Sequence, residues 1–364
     1  MKLIAAYGNP QLTAVCRCHP YEYLSYLRDK EKKEGKGHRI AFENVMKKKL
    51  LSFVIPCYGS EKTIAHVVGE IQDVVSQRPE YAYEIVAVND CSPDGVWDVL
   101  LKLAQEDSCV KPVRLAINMN RPGAVMAGIT VSSGDYITIM DDDGQCPMDR
   151  FWDLLDPVLG EYDVATADYP ERKQSLFKDF GTLVNKKMTQ YILDRPKDLQ
   201  FTNFMVIRRY IADEILKYKN PYPYMTGLLL RTTNRIACVP MEERERYSGN
   251  TTFTFLKLIS LWMNGLTAFS VKPLRLADAL GVVTSAVGGI YGIYLVIRKL
   301  SGANITMGYT SLMAAILFVG GIIMLLLGML GEYVGRIYIC MNNSPQFVIR
   351  DMVNFDRKDS QENS

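Results

Sequence analysis

The chain has 364 residues, which is long for one ordinary compact domain, so we expect two parts. Its formal net charge is only +2, which gives no reason to expect nucleic acid as a partner. The apolar residues are unevenly distributed, and the last quarter of the chain is much more apolar than the rest.

Residues 1–45 show no clear periodicity and no signal-peptide pattern, because the apolar start at Leu3 is far too short. We interpret them as a flexible N-terminal extension. A second interpretation is that the functional chain starts at Met46, just before the first predicted strand.

From Leu51 onward, short apolar strands alternate with helices of about a dozen residues, which is typical of βαβ units and a parallel sheet. Ser92 and Pro93 are a helix-start signal, with Ser92 as the expected cap. The predicted strands are 52–56, 83–90, 113–118, 136–140 and 163–168, and the predicted helices are 61–75, 92–105, 122–131 and 148–159.

The most informative stretch is the central apolar strand that runs directly into Asp141-Asp142-Asp143-Gly144-Gln145. Asp141 and Asp143 are two residues apart, so both could reach one divalent cation. Their oxygen ligands suit Mg²⁺ or Mn²⁺ bridging a substrate diphosphate. The alternative is a solvated acidic turn, since short acidic stretches are common in loops.

Two other strands also end in polar clusters, at Pro56–Tyr58 and at Asn89–Asp90. Because the carboxyl ends of parallel strands share one edge of a sheet, we expect these clusters to lie beside Asp141–Gln145. No Gly-rich phosphate-binding motif is present, so metal and side chains would have to hold any phosphate.

Three motifs in order carry a resemblance to a known family. They are Pro56-Cys-Tyr-Gly-Ser-Glu61, Asn89-Asp-Cys-Ser-Pro-Asp94 and Asp141-Asp-Asp-Gly-Gln-Cys-Pro147. They resemble the P-x-Y-N-E-E, D-D-G-S-x-D and D-A-D-L-Q-x-P motifs of family-2 glycosyltransferases of the polyprenyl-phosphate type, which include dolichol-phosphate mannose synthase and bactoprenol glucosyltransferases. The resemblance covers roughly Met46 to Arg350 and implies a GT-A-like, Rossmann-type, mostly parallel α/β sheet.

The resemblance also implies roles for individual residues. Tyr58 would lie against the nucleotide base, Asp90 would accept a hydrogen bond from it, and Asp141 would face the ribose. The implied nucleotide-sugar residues are Pro56, Tyr58, Glu61, Asp90, Asn118 and Asp141; the implied metal ligands are Asp143 and Gln145; and the implied catalytic residues are Asp141, Asp143 and Asp198.

The chain departs from the family pattern in two segments. The loop after the third strand, Ile117 to Ala124, matches the family only at Asn118 and Ala124. The segment in which the family carries its acidic general base departs from the family pattern and offers one carboxylate, Asp198. The identity of the base therefore stays open.

Arg246 belongs to a Glu-Arg-x-x-Gly stretch that the family also has before its membrane part. A guanidinium pairs with phosphate oxygens in a bidentate way, so Arg246, with Arg244 as a helper, would suit a lipid phosphate. The alternative is a solvated cluster of salt bridges.

The rest of the chain predicts membrane attachment. Residues 251–275 have apolar residues at helical spacing and are expected to form an interfacial amphipathic helix. Residues 279–297 and 301–331 carry no charge, and each can cross about 30 Å of hydrocarbon. Gly331 to Tyr338 matches the G-E-Y-x-G-R-I-Y that closes the second span in this subfamily.

The predicted organisation is an extension (1–45), a catalytic domain (46–250), an interfacial helix (251–275), a two-helix transmembrane hairpin (276–339) and a cytosolic tail (340–364), which is expected to be polar and frayed after Arg350. The positive charges near the spans favour both termini in the cytosol, at the inner membrane.

The resemblance implies an inverting, metal-dependent transfer of sugar from a nucleoside diphosphate-sugar to polyprenyl (undecaprenyl) phosphate at the lipid bilayer, by an enzyme expected to be a homo-oligomer. Two alternatives stay open: a processive polysaccharide synthase, although the Gln-x-x-Arg-Trp motif is absent, and a catalytically weak membrane adaptor. The sequence names neither the sugar nor the nucleotide.

Overall fold

The structure, a computed structural model, describes residues 48–169, 199, 201–221, 223–245, 247, 272–301, 308–342 and 344–355. The described residues up to 247, together with 345–355, form one compact unit, and those from 272 to 344 form another. The predicted N-terminal extension, most of the predicted interfacial helix, Asp198 and Arg246 lie outside the described residues.

The first unit is built on an eight-stranded sheet. Its strands are β1 (Lys49–Cys57), β2 (Tyr81–Asn89), β3 (Val110–Leu115), β4 (Tyr136–Ile139), β5 (Val164–Asp168), β6 (Met205–Arg208), β7 (Ile236–Pro240) and β8 (Ile349–Met352). The spatial order is β7-β5-β6-β4-β1-β2-β3-β8. The pairs β1–β2, β1–β4, β2–β3 and β5–β7 are parallel. The pairs β3–β8, β4–β6 and β5–β6 are antiparallel.

The helices of this unit are α1 (Ile64–Ser76), α2 (Val96–Glu106), α3 (Asn120–Val131), α4 (Phe151–Leu159), α5 (Arg209–Leu216) and α6 (Met225–Thr232). The mostly parallel α/β sheet and the five predicted strands are confirmed, with ends that shift by a few residues. The predicted start of the second helix is wrong, because α2 begins at Val96 after Gly95 without a side-chain cap. The Ser92 hydroxyl instead donates to Asp94 in the loop before the helix and accepts from the Gly59 amide in the loop after β1.

The central strands are buried along nearly their whole length, as in sheets covered by helices on both faces. Phe53 on β1 packs against Phe151 of α4, with ring centroids 5.1 Å apart. Strand β1 is therefore an interior strand of the sheet, paired on both sides and buried along most of its length.

Strand β8 is an element that the sequence analysis missed. It pairs antiparallel with β3, and the Val353 amide extends the pairing by donating to the Pro112 carbonyl at 3.0 Å. The Asn354 side chain donates to the carbonyls of Ala104 and Val110, each at 2.9 Å. The prediction of a frayed tail after Arg350 is therefore wrong for residues 351–355.

The second unit contains two long helices, α7 (Lys272–Leu300) and α8 (Tyr309–Met341). Among the described residues, only Phe318–Met341 is long and apolar enough to cross a membrane, and α7 offers the shorter apolar stretch Gly281–Tyr294. The candidate stretch Phe318–Met341 ends later than the predicted span 301–331. By length and composition, the described residues thus support one membrane span and not the predicted two.

We expect Asn354→Ala to destabilise the first unit. The change removes two hydrogen bonds, each worth about 1 kcal/mol, and puts a Cβ-bearing residue without a local hydrogen bond at φ 64°. The melting temperature of the full chain in detergent should fall by several degrees. Asn354→Gly, which relieves the backbone strain but not the lost bonds, should fall in between, and a wild-type melting temperature for Asn354→Ala would contradict this role of the C-terminal segment.

Candidate functional site

The carboxyl ends of β1, β2 and β4 meet at one edge of the sheet, as predicted. The Asp90 amide donates to the Cys57 carbonyl at 3.1 Å, which joins the ends of β2 and β1. On the other side, the Tyr58 amide donates to a carboxylate oxygen of Asp142 at 3.1 Å. The polar clusters that follow the three strands therefore form one continuous group.

The loops after β1 and β2 brace each other through two carboxylates. Asp94 accepts from the Glu61 amide at 2.9 Å, and Glu61 accepts from the Gly95 amide at 3.1 Å. The Ser92 hydroxyl donates to Asp94 at 2.6 Å and accepts from the Gly59 amide at 2.8 Å. Burial acts to raise the pKa of Asp94, but these hydrogen bonds outweigh it and lower that pKa. Glu61, predicted to line the nucleotide, takes part in this bracing.

Asp90 is almost completely buried at the end of β2. Its carboxylate accepts from the Met119 amide at 2.7 Å, and its carbonyl accepts from the Asn118 side chain at 3.1 Å. Burial raises the pKa of Asp90 to about 6, against hydrogen bonds that act to lower it. The structure thus brings together Asp90 and Asn118, two of the predicted nucleotide-binding residues.

Asp141 is clamped by two side chains that the sequence analysis did not select. Arg121, near the start of α3, donates to one carboxylate oxygen at 2.6 Å, and Asn203 donates to the other at 2.6 Å. A weaker bond of 3.4 Å joins Arg121 to the Asn203 carbonyl. The sequence analysis could have selected Arg121 as a basic residue in the segment after the third strand. Only the tertiary fold shows that its partner is Asp141, which follows β4.

Asp142 and Tyr58 stand next to this clamp. Burial raises the pKa of Asp142 to about 6, although the hydrogen bond from the Tyr58 amide acts to lower it. The Tyr58 side chain is 57% exposed at the strand end. Its ring is therefore free of the core packing that would otherwise explain a tyrosine at this position, and it can offer a face to a ligand.

Asp143 and Gln145 follow in a tight loop in which Gly144 has φ 79°. The Gln145 amide donates to an Asp143 carboxylate oxygen at 3.1 Å. In the part of the chain that the structure describes, no three His, Cys, Asp or Glu side chains form a metal-binding group by themselves. One carboxylate and one amide oxygen fit Mg²⁺ or Mn²⁺ when substrate phosphates complete the coordination.

A segment after β7 lies over this loop. The Arg244 amide donates to the Gln145 carbonyl at 3.1 Å, and the Tyr247 amide donates to the Asp143 carbonyl at 3.2 Å. The Arg244 guanidinium pairs with Glu70 at 2.7 Å and also with Asp149. These two carboxylates already engage the side chain that we predicted to help bind a lipid phosphate, while Arg246 lies outside the described residues.

Two family models match segments of the chain. Residues 52–216 match Glycosyl transferase family 2, and residues 272–337 match the GtrB C-terminal hairpin. The SfII prophage-derived bactoprenol glucosyl transferase of Shigella flexneri is 30% identical over 306 residues, which cover 82% of this chain and 97% of that protein. The glycosyltransferase YkcC of Bacillus subtilis is 28% identical over 308 residues, which cover 84% of this chain and 95% of that protein.

Among solved structures, mannosyl-3-phosphoglycerate synthase from Rubrobacter xylanophilus is similar with a TM-score of 0.46 and 17% identity. The similarity covers 64% of this chain and 75% of that one.

The raised pKa of Asp90 makes stability depend on pH in a defined direction. An acid whose pKa is higher in the folded chain than its ordinary 3.8 stabilises the fold most below pH 4 and loses that contribution as pH rises through about 6. Asparagine keeps an oxygen for the Met119 amide but cannot ionise. The melting temperature of Asp90→Asn relative to wild type should therefore rise between pH 5 and pH 7.

The exposed carboxylate of Asp73 on α1 provides the control, because Asp73→Asn removes the same charge from the protein surface. If the melting-temperature difference for Asp90→Asn followed that for Asp73→Asn at every pH, burial of Asp90 would not be the cause of the pH dependence.

Proposed function

The chain belongs to glycosyl transferase family 2, and from that membership we propose that it moves a sugar from a nucleoside diphosphate-sugar to polyprenyl phosphate at the membrane surface. The observation that carries the proposal is the group of carboxylates Asp90, Asp141 and Asp143, which follow the carboxyl ends of β2 and β4 and belong to the motifs that resemble the donor-binding motifs of the family. The bactoprenol glucosyl transferase relative supports a polyprenyl acceptor.

The donor site would be divided among the three loops. The exposed Tyr58 ring would stack on the base, and the Asp90 carboxylate would accept a hydrogen bond from it, with Asn118 beside it. Asp141, held by Arg121 and Asn203, would accept from the ribose hydroxyls. Since Arg121 and Asn203 bind both oxygens of Asp141, this carboxylate is oriented before the ligand arrives, which lowers the cost of ordering it on binding.

Asp143 and Gln145 would hold the divalent cation, Mg²⁺ or Mn²⁺. When bound, the cation would neutralise the negative charge that builds on the leaving diphosphate. The loop itself would orient these two oxygen ligands, because its backbone is bonded both within the turn and to the segment after β7.

The acceptor phosphate is already ionised, so one of its oxygens can attack the sugar directly. The new bond would form on the face opposite the breaking bond to the diphosphate, so a single displacement would invert the anomeric centre. A general base such as Asp198 matters less for this acceptor than it would for an alcohol.

The membrane part would keep the lipid substrate within reach. We propose that α7 and α8 form the transmembrane hairpin, which the match to the GtrB C-terminal hairpin supports. Both termini would then lie in the cytosol with the catalytic unit, at the inner membrane. We also propose that the enzyme forms a homo-oligomer.

The function is tested by incubating membranes that contain the full chain with radiolabelled nucleotide sugars and undecaprenyl phosphate. UDP-glucose is the first donor to try, because relatives are glucosyl transferases. The expected product is a lipid-linked monosaccharide. A polymer would favour a processive synthase, and the absence of turnover with every donor would favour an adaptor.

Removing the metal site should remove this turnover. Asp143→Ala deletes the one carboxylate that we assign to the cation, so transfer should be abolished while the protein remains folded in the membrane. EDTA should stop the wild-type enzyme, and added Mn²⁺ should restore it. Full activity of either the variant or the chelated enzyme would overturn the metal assignment.

The acceptor assignment is tested at Arg246. A charge-assisted pair with the lipid phosphate is worth about 1.5–3 kcal/mol, so Arg246→Ala should raise the apparent KM for undecaprenyl phosphate roughly tenfold to a hundredfold. Arg246→Lys should recover only part of this loss, since the fork geometry goes with the guanidinium. An increase in the donor KM alone would place Arg246 at the diphosphate instead.

A further inference from the structure

Glu70 is a carboxylate that none of the proposed donor or acceptor roles uses. It lies on α1, and its side chain is only 20% exposed. One of its oxygens accepts from the Arg244 guanidinium at 2.7 Å and from the Tyr247 hydroxyl at 2.9 Å. These partners are 174 and 177 residues further along the chain, so Glu70 joins two distant parts of the first unit.

The segment that Glu70 holds is bonded directly to the loop of the proposed metal ligands. We call residues 241–247 the strap; the structure describes all of them except 246. Backbone amides of the strap donate to the carbonyls of Gln145 and Asp143. In addition, the Gln145 side-chain amide donates to Glu243 at 3.1 Å. The strap therefore contacts both residues that we assign to the cation.

The Tyr247 ring adds a close steric contact to these bonds. A Cβ added to Gly144 would lie 2.0 Å from two ring carbons of Tyr247. Gly144 also has φ 79°, a conformation that favours glycine. The Tyr247 ring also packs edge-to-face with His66, with ring centroids 4.5 Å apart. The absence of a side chain at Gly144 therefore allows the loop to lie directly against the Tyr247 ring of the strap.

We propose that Glu70 is a positioning residue that holds the strap on the Asp143–Gln145 loop and thereby sets the geometry of the two proposed metal ligands. It acts through Arg244 and Tyr247 and does not itself contact substrate. Asp149 also pairs with Arg244, but its side chain is 64% exposed, so solvent screens that pair more strongly. The assignment of the loop as a cation site rests on the proposed function, whereas the contacts between Glu70 and the strap do not.

Hydrogen exchange tests the linkage without any activity measurement. In the purified full chain in detergent, amide exchange in peptides from 241–245 and 141–147 should be about tenfold faster in Glu70→Ala than in wild type, which corresponds to losing one charge-assisted hydrogen bond. Glu70→Gln, whose amide oxygen can still accept, should be intermediate. Asp73→Ala, on the same helix and exposed, should match wild type.

A double-mutant cycle separates a direct role from general destabilisation. Tyr247→Phe removes only the hydroxyl and leaves the ring on Gly144, so it should speed exchange in the wild-type background but add nothing in Glu70→Ala. Additive effects, or unchanged exchange in Glu70→Ala, would overturn the proposal.

Mn²⁺ titration of transfer activity tests the consequence for the loop. In Glu70→Ala, the concentration of Mn²⁺ that gives half-maximal activity should rise about tenfold, while in Asp73→Ala it should stay at the wild-type value. Faster exchange with an unchanged Mn²⁺ requirement would overturn the positioning role. If the wild-type protein transferred no sugar, the proposed function would fail, and the exchange experiment would still decide whether Glu70 holds the strap.

Discussion

The parallel pairing of β1 with both β2 and β4 is the constraint on which the candidate site depends. Its register places Cys57 beside Asn89 and Val54 beside Ile139, so the loops that follow all three strands emerge at one edge. A slip of one residue would turn the side chains of a strand to the opposite face. Because β1 and β2 are buried along nearly their whole length, such a slip would disrupt their packing. The fixed register in turn determines where Tyr58, Asp90 and Asp141 lie.

The site edge collects acidic groups that would repel each other without local compensation. Asp141 is compensated by Arg121 and Asn203, and Asp94 by backbone amides. Asp90 and Asp142 are compensated less well, and burial raises the pKa of each to about 6. An edge of this kind favours the arrival of a cation. The proposed use of a divalent metal with a diphosphate therefore agrees with the charge distribution of the folded chain.

Periodicity and motif spacing predicted the sheet class, the first five strands and the meeting of their polar ends, because these depend on local sequence. Strands β6 and β8 have four residues each, as β4 does, but neither is followed by a motif such as Asp141–Gln145, and β8 is half charged. Partners such as Arg121 for Asp141 and Glu70 for Arg244 could not be predicted, because they join residues 20 and 174 positions apart through the tertiary fold. The same limit explains why Arg244 was predicted to help bind a lipid phosphate, although the fold pairs it with Glu70 and Asp149.

The most direct test of the account is an experimental structure of the full chain in a lipid nanodisc with Mn²⁺ and the nucleoside diphosphate of the donor that it turns over. The account predicts the base against Tyr58 and within hydrogen-bonding distance of Asp90, the ribose at Asp141, and Mn²⁺ between the diphosphate and Asp143 with Gln145. A nucleotide bound elsewhere, or a metal that contacts neither Asp143 nor Gln145, would contradict the assignment of this sheet edge as the donor site.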